Sequence, residues 1–225
     1  MTQKSFHLIE NHMLSAMADS AHDAQHVYRV LYNALEIAES ETGVNYDVLI
    51  TACLLHDIGR KEQFEDPKLC HAAVGSKKAR IFLAGHNFSE EFTERVCHCI
   101  LSHRFRKAAP PQTIEAKILF DADKLDVTGV IGIARTLLYQ GKMESPLYTL
   151  LPDGTVSDGS GEPAESFFGE YKFKLEKLYG TFLTEAGAQL AQQRRTAAES
   201  FYKSLYAECA RGYEAGPRFL QRFLD

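Results

Sequence analysis

Apolar positions recur every three and four residues along almost the whole chain, the period of helices that bury one face. A weakly amphipathic helix is predicted over about 5–18. A stronger one follows over about 23–40, where Val27, Val30, Leu31, Ala34, Leu35 and Ala38 form one stripe. His26 lies beside that stripe, and Gly43 suits a left-handed stop after it. The run VLITACLLHDIG is apolar on nearly all sides, so it predicts a central, buried helix capped by Asn45 or Asp47 and ended by Gly59.

Gln63–Lys68 reads as a loop around Asp66-Pro67. Helices are then expected over about 69–84, with His71 near the start, and over about 90–103. In the latter, Phe92, Val96, Cys99, Ile100 and His103 share a face, and Arg104, Arg106 and Lys107 follow directly. Pro110-Pro111 breaks the pattern, and Thr113 can cap a long helix running through Asp121, Asp123 and Asp126 towards Tyr139.

From 141 to 163 the composition shifts to four glycines and three prolines. Leu151-Pro152-Asp153-Gly154-Thr155 is a turn signal that could join a short hairpin near 148–157. A lid and a tolerated insertion are both open readings of this loop. Two helices, about 164–180 and 184–211, complete an all-α bundle of about seven to nine helices. The expected organisation is one domain over 1–225, with a core at about 20–140, the loop, and a helical extension over 164–225.

Composition changes this picture little. The chain is 45% hydrophobic and 24% charged, an ordinary globular mix. A formal charge of -5, no tryptophan and no recognisable motif disfavour a nucleic-acid binder. No apolar run approaches the roughly 20 residues of a membrane span, and the first 20 residues do not read as a signal peptide. Five scattered cysteines argue against a disulfide framework and for a reducing cytoplasm. The nine histidines are the oddity, and their positions matter more than their number.

His56 and Asp57 end the buried helix, where two polar side chains are costly unless something compensates them. A cation would. His26 and one of the aspartates in Phe120-Asp121-Ala122-Asp123-Lys124-Leu125-Asp126 could complete a site of two imidazoles and two carboxylates. That donor set suits one divalent ion such as manganese, iron, nickel, zinc or magnesium. The bland alternatives are a hydrogen-bonded helix cap for His56-Asp57 and a core histidine for His26. Cys97-His98-Cys99 is set aside, because positions i and i+2 of a helix face apart.

The order His26, His56-Asp57, then Asp123 within Asp-Ala-Asp-Lys-Leu-Asp resembles the histidine–aspartate (HD) domain phosphohydrolase superfamily. The resemblance covers about 20–140. Phe173-Lys174-Leu175-Glu176-Lys177-Leu178, with Ala191 and Arg194, is similar to the tail of a subgroup of small bacterial HD hydrolases. It implies His26, His56, Asp57 and Asp123 as metal ligands, with Asp123 preferred over Asp121 and Asp126. His71 and His103 resemble the histidines that bind a second metal or the substrate phosphate in some members, and one ion with both facing the substrate is the expectation here.

The expected activity is hydrolysis of a phosphate mono- or diester, nucleotide-like, by a metal-activated water. Asp57 is the candidate base, while His71, His103 and Lys124 would stabilise the phosphoryl oxygens. Arg60, Lys61, Arg104 and Arg106 would steer the anion, and Lys174 is a candidate substrate contact or a plain surface charge. His22 and Asp23 could orient His26, or Asp23 could cap its helix. The full glycine–tyrosine–proline signature of the cyclic-dinucleotide subgroup is not evident. A metal-stabilised module that binds a phosphorylated ligand without turnover is the second class of reading, and a homodimer is compatible with either.

Overall fold

The computed structural model describes residues 1–17, 24–105 and 109–224. His22, Asp23, Arg106 and Lys107 lie outside the described residues. The described chain is helical: α1 (Gln3–Met17), α2 (Ala24–Ala38), α3 (Tyr46–Leu55), α4 (Arg60–Glu65), α5 (His71–Gly85), α6 (Glu90–Ser102), α7 (Ile114–Leu125), α8 (Gly129–Lys142), α9 (Phe167–Phe173) and α10 (Glu185–Gln221). A 3-10 turn spans Leu175–Gly180 between the last two. The expected hairpin is reduced to one antiparallel bridge, Leu150 to Val156. Among the described residues, no helix is long and apolar enough to cross a membrane.

Two compact units form, Met1–Asp126 with Phe182–Gly187, and Val127–Thr181 with Ala188–Asp225. The edge of the first unit thus falls at Asp126, earlier than the 140 expected. In that unit α3 is the hub. Val48, Leu49, Ala52, Cys53, Leu54 and Leu55 are all inaccessible, with α1, α2, α6 and α7 packed around them. Asn45 caps α3 by accepting from Val48 N, Ser89 caps α6 and Thr113 caps α7. In the second unit, Phe167, Phe168, Tyr171, Leu178, Ala198 and Tyr202 form the core, with Tyr171 stacked on Tyr202 at 4.1 Å.

Four expectations about elements need correction. The stretch read as a loop at 63–68 begins inside α4, a short helix that carries Gln63. The long helix predicted from Thr113 to Tyr139 is two helices. Asp126 caps α7, and Gly129 breaks the run with φ of +64°, a left-handed conformation that favours glycine. The predicted 164–180 helix divides into α9 and the 3-10 turn, whereas α10 runs on past 211 with Pro217 inside it.

Gly59 does more than end a helix. Its φ is an ordinary -98°, but a Cβ there would lie 2.6 Å from Gly75 N and would also strike the His71 carbonyl. The glycine lets the turn after Asp57 lie directly on α5, the helix that begins at His71. Gly59→Ala is therefore expected to destabilise the protein by about 2–3 kcal/mol through forced separation of the two backbones. Urea denaturation monitored by circular dichroism checks this. An unchanged midpoint and slope would show that the contact yields at no cost.

Asp121 has a structural task of its own. Its carboxylate accepts from Leu183 N at 2.9 Å, Thr184 N at 2.7 Å and Thr184 Oγ1 at 2.6 Å. It thereby satisfies backbone donors at the entry to α10, the groups that helix starts leave unpaired. Gly187 makes room, since a Cβ there would sit 2.6 Å from Asp121 Oδ2.

Candidate metal centre

The first unit brings six side chains to one point. His26 comes from α2, His56 and Asp57 from the turn closing α3, His71 from the start of α5, His103 from the end of α6, and Asp123 from the last turn of α7. His26, His56, Asp57, His71 and His103 are all buried, at 3% exposure or less. Asp123 keeps a partly open side chain.

Two groups share the floor. His26 Nε2 lies 3.4 Å from Asp123 Oδ1 and 3.5 Å from Asp57 Oδ2, and His56 Nε2 lies 3.6 Å from Asp57 Oδ2. On its other side Asp57 Oδ1 faces His71 Nε2 at 3.4 Å and His103 Nε2 at 3.8 Å. His26, His56 and Asp123 have ligand atoms close enough to hold one ion, and so do Asp57, His71 and His103. Asp57 therefore looks both ways.

The four imidazoles share a tautomer logic. Each uses Nδ1 on an acceptor: Asp126 Oδ2 for His26 at 2.6 Å, Cys53 O for His56 at 2.7 Å, Gln63 Oε1 for His71, and Ile100 O for His103 at 2.6 Å. A carbonyl or carboxylate oxygen can only accept, so Nδ1 carries the proton and Nε2 turns a lone pair inward when the ring is neutral. Such a neutral Nε2 is a metal ligand.

The fit to a cation can be tested on burial. His56 Nε2 and Asp57 Oδ2 are buried without a hydrogen-bond partner. An orphaned buried polar group costs about 1–3 kcal/mol, more when charged. A cation between an imidazole lone pair and a carboxylate oxygen satisfies both, and the mixed nitrogen and oxygen donors suit a borderline divalent ion. The residues fit the group.

The charges are strongly coupled. Burial pulls the His26 pKa down, but hydrogen bonds to Asp123, Asp126 and Asp57 outweigh it and raise the pKa to about 10. Burial raises that of Asp57, yet His56, Arg60 and His26 hold it well below the carboxylate range. Asp123 is held low by His26 in the same way. Desolvation pushes His71 down to about 2 and His103 to about 4, so both are neutral at pH 7.

The other sequence candidates are dispersed. Arg60 Nε donates to Asp57 Oδ1 at 2.9 Å, so it grips a site carboxylate and does not wait at a rim. Arg104 is half-buried with Nη1 4.0 Å from Cys70 Sγ, in the residue pair that borders His71 and His103 in sequence. Lys124 sets its ammonium 4.6 Å over the Phe120 ring. Lys174 belongs to the second unit, where it pairs with Glu170 at 3.0 Å. Missed by sequence reasoning were Gln63, hidden in an unpredicted helix, and Arg29, which lies one turn beyond His26 and reaches Asp126. The signal for Arg29 was its spacing of three from His26 on a helix.

Known proteins share this fold. The HD domain family matches residues 23–128. The Bacillus subtilis protein YpgQ is 29% identical over 190 residues, 83% of each chain. Its crystal structure in complex with ADP superposes with a TM-score of 0.72 at 25% identity, covering 91% of this chain and 95% of that one. An HD-superfamily hydrolase from Bacillus thuringiensis gives a TM-score of 0.70 at 28% identity, covering 92% and 97%. A predicted HD-superfamily hydrolase from an uncultured Thermotogales bacterium gives 0.60 at 28%, covering 92% of each chain.

Proposed function

Residues 23–128 match the HD-domain family, and from that premise we propose a metal-dependent phosphohydrolase acting on a nucleotide-like phosphate mono- or diester. The observation that carries the proposal is the orphaned pair His56 Nε2 and Asp57 Oδ2, buried within reach of His26 and Asp123. His26, His56, Asp57 and Asp123 would hold the ion. When bound, a divalent cation would acidify a water and polarise a phosphoryl oxygen. A nucleotide-like substrate is supported by the YpgQ complex with ADP.

The chain's own groups suggest a division of labour. With its pKa held low, Asp57 is a weak proton acceptor, and its stronger role is to bring one negative charge to both groups of ligands. Arg60 fixes the orientation of that carboxylate. His71 and His103 present Nε2 atoms 3.1 Å apart. With both Nδ1 atoms tied to acceptors, two lone pairs meet there, and they need a cation or a proton between them. This favours a second reading of that group, in which Asp57, His71 and His103 would hold a second divalent ion that would supply positive charge for the substrate phosphate, in place of direct contact from two imidazoles. Arg104, next to His103, is the proposed anion-steering group.

Metal content followed by a turnover screen tests the proposal. Nucleoside mono-, di- and triphosphates, cyclic dinucleotides and a generic aryl phosphate would be offered with manganese, nickel or magnesium. The expected result is phosphate or pyrophosphate release that requires one of these ions and stops with chelator. One ion per chain supports the simpler reading and two support the second. Tight metal and nucleotide binding with no turnover of any compound would overturn the enzyme in favour of a binding module.

A further inference from the structure

The third aspartate of Asp-Ala-Asp-Lys-Leu-Asp is not a spare ligand. Asp126 caps α7, is 1% exposed, and points its carboxylate away from the floor made by Asp57 and Asp123 towards the outer nitrogen of His26. Oδ2 accepts from His26 Nδ1 at 2.6 Å. Arg29 donates through Nε to Oδ1 at 2.6 Å and through Nη2 to Oδ2 at 3.1 Å, a two-pronged grip. His26 and Arg29 stand three apart on α2, so one helical turn supplies both the imidazole and the cation that compensates its acceptor.

We propose that Asp126, clamped by Arg29, is the positioning residue that sets the tautomer and ring plane of His26 for metal ligation. The inference rests on the reading of His26 as a ligand. Its logic is local. A carboxylate accepts only, so its contact fixes the Nδ1 proton of the neutral ring and leaves Nε2 aimed at Asp57 and Asp123. A ring held this way is also more basic towards a cation.

Among the four site histidines, His26 is the one whose Nδ1 is held by a charged group. His56 and His103 use backbone carbonyls and His71 uses a side-chain amide. The reason lies in where they sit. His56 and His103 are the caps of α3 and α6, where a carbonyl three residues back is unpaired and available. His26 lies in the first turn of α2, and its acceptor comes from a second element, the cap of α7. The guanidinium fork makes that acceptor rigid and removes the cost of burying it alone.

The test is Mn²⁺ affinity, measured by competition with a chromophoric chelator and independent of turnover. Asp126→Ala is expected to weaken binding about 10–100-fold. Asp126→Asn keeps an oxygen acceptor and should lose less. Arg29→Gln, a milder change that leaves the carboxylate in place, should weaken binding in the same direction and serves if Asp126→Ala does not fold. In a His26→Ala background, Asp126→Ala should cost almost nothing further, because the ring it serves is gone. Full additivity of the two substitutions, or wild-type affinity in Asp126→Ala and Arg29→Gln, overturns the inference. Wild-type affinity in His26→Ala instead overturns the ligand reading on which it rests. Nitrogen-15 NMR of the Zn²⁺-loaded protein gives a second readout, with His26 shown as Nδ1-protonated in the wild type and of mixed tautomer in Asp126→Ala.

Discussion

Asp57→Asn lowers bound metal and cuts turnover by at least about a hundredfold to a thousandfold, the scale of removing a group that stabilises developing charge. The size follows from how many partners one carboxylate serves. Oδ2 faces His26 and His56, while Oδ1 faces Arg60, His71 and His103. An amide of the same shape keeps the packing but removes the charge, and its NH₂ group would face either imidazole lone pairs or a guanidinium. Metal content by elemental analysis and turnover on the best substrate are the measurements, with circular dichroism to confirm the fold. Wild-type metal content together with wild-type turnover would remove Asp57 from the site. Loss of metal from one group only, in a protein that binds two ions, would identify which side of the carboxylate matters more.

Metal affinity rises about tenfold for each pH unit between roughly pH 7 and pH 9, because one proton must leave for each ion that binds. That proton is on His26, whose pKa is raised to about 10 after the carboxylates of Asp123, Asp126 and Asp57 outweigh its burial. The same shift sets the stability of the metal-free protein. Its folded pKa lies above the unfolded value of about 6.5, so its contribution is fully present below pH 6.5 and is lost as pH rises through 10. The metal-free protein should therefore melt at lower temperature as pH climbs over that window, while the metal-loaded protein gains affinity. Calorimetric titrations in two buffers of different ionisation enthalpy count the protons released. An affinity that is flat across this range, with no proton release, would mean that His26 is already neutral when the ion arrives.

How far the site could be read in the sequence differs from residue to residue. His56 and Asp57 stood out because the apolar run 48–55 leaves no doubt about burial, and two polar side chains at the end of a buried helix need an explanation. The aspartates were harder. In Asp121, Asp123 and Asp126 the helical period already turns Asp121 away from the other two, since steps of two and three residues rotate by about 200° and 300°. It could not say what each faced. Asp121 serves backbone donors at Leu183 and Thr184, and Asp126 serves Arg29 and His26, partners some 60 to 100 residues distant. Gly59 was legible as a helix stop, yet its requirement comes from the backbone of α5 lying against it.

The elements went astray where local signals were weak or contradicted. The six-residue α4 is too short to show a period, and nothing in Arg60–Glu65 is buried to mark it. The break between α7 and α8 depends on one glycine with positive φ inside an otherwise continuous pattern.

What the amino-acid order determined by itself was the all-helical class, the buried status of α3, and the ordered set His26, His56-Asp57 and Asp123, because periodicity and motif spacing are local properties of a chain. What only the tertiary structure decided was the direction of each ring nitrogen, the double-facing role of Asp57, and the clamp of Arg29 on Asp126. Those depend on the packing of α1, α2, α6 and α7 around α3 and of α5 against α6, and sequence separation carries no information about which atoms meet when a helix from one end of the chain comes to rest against another.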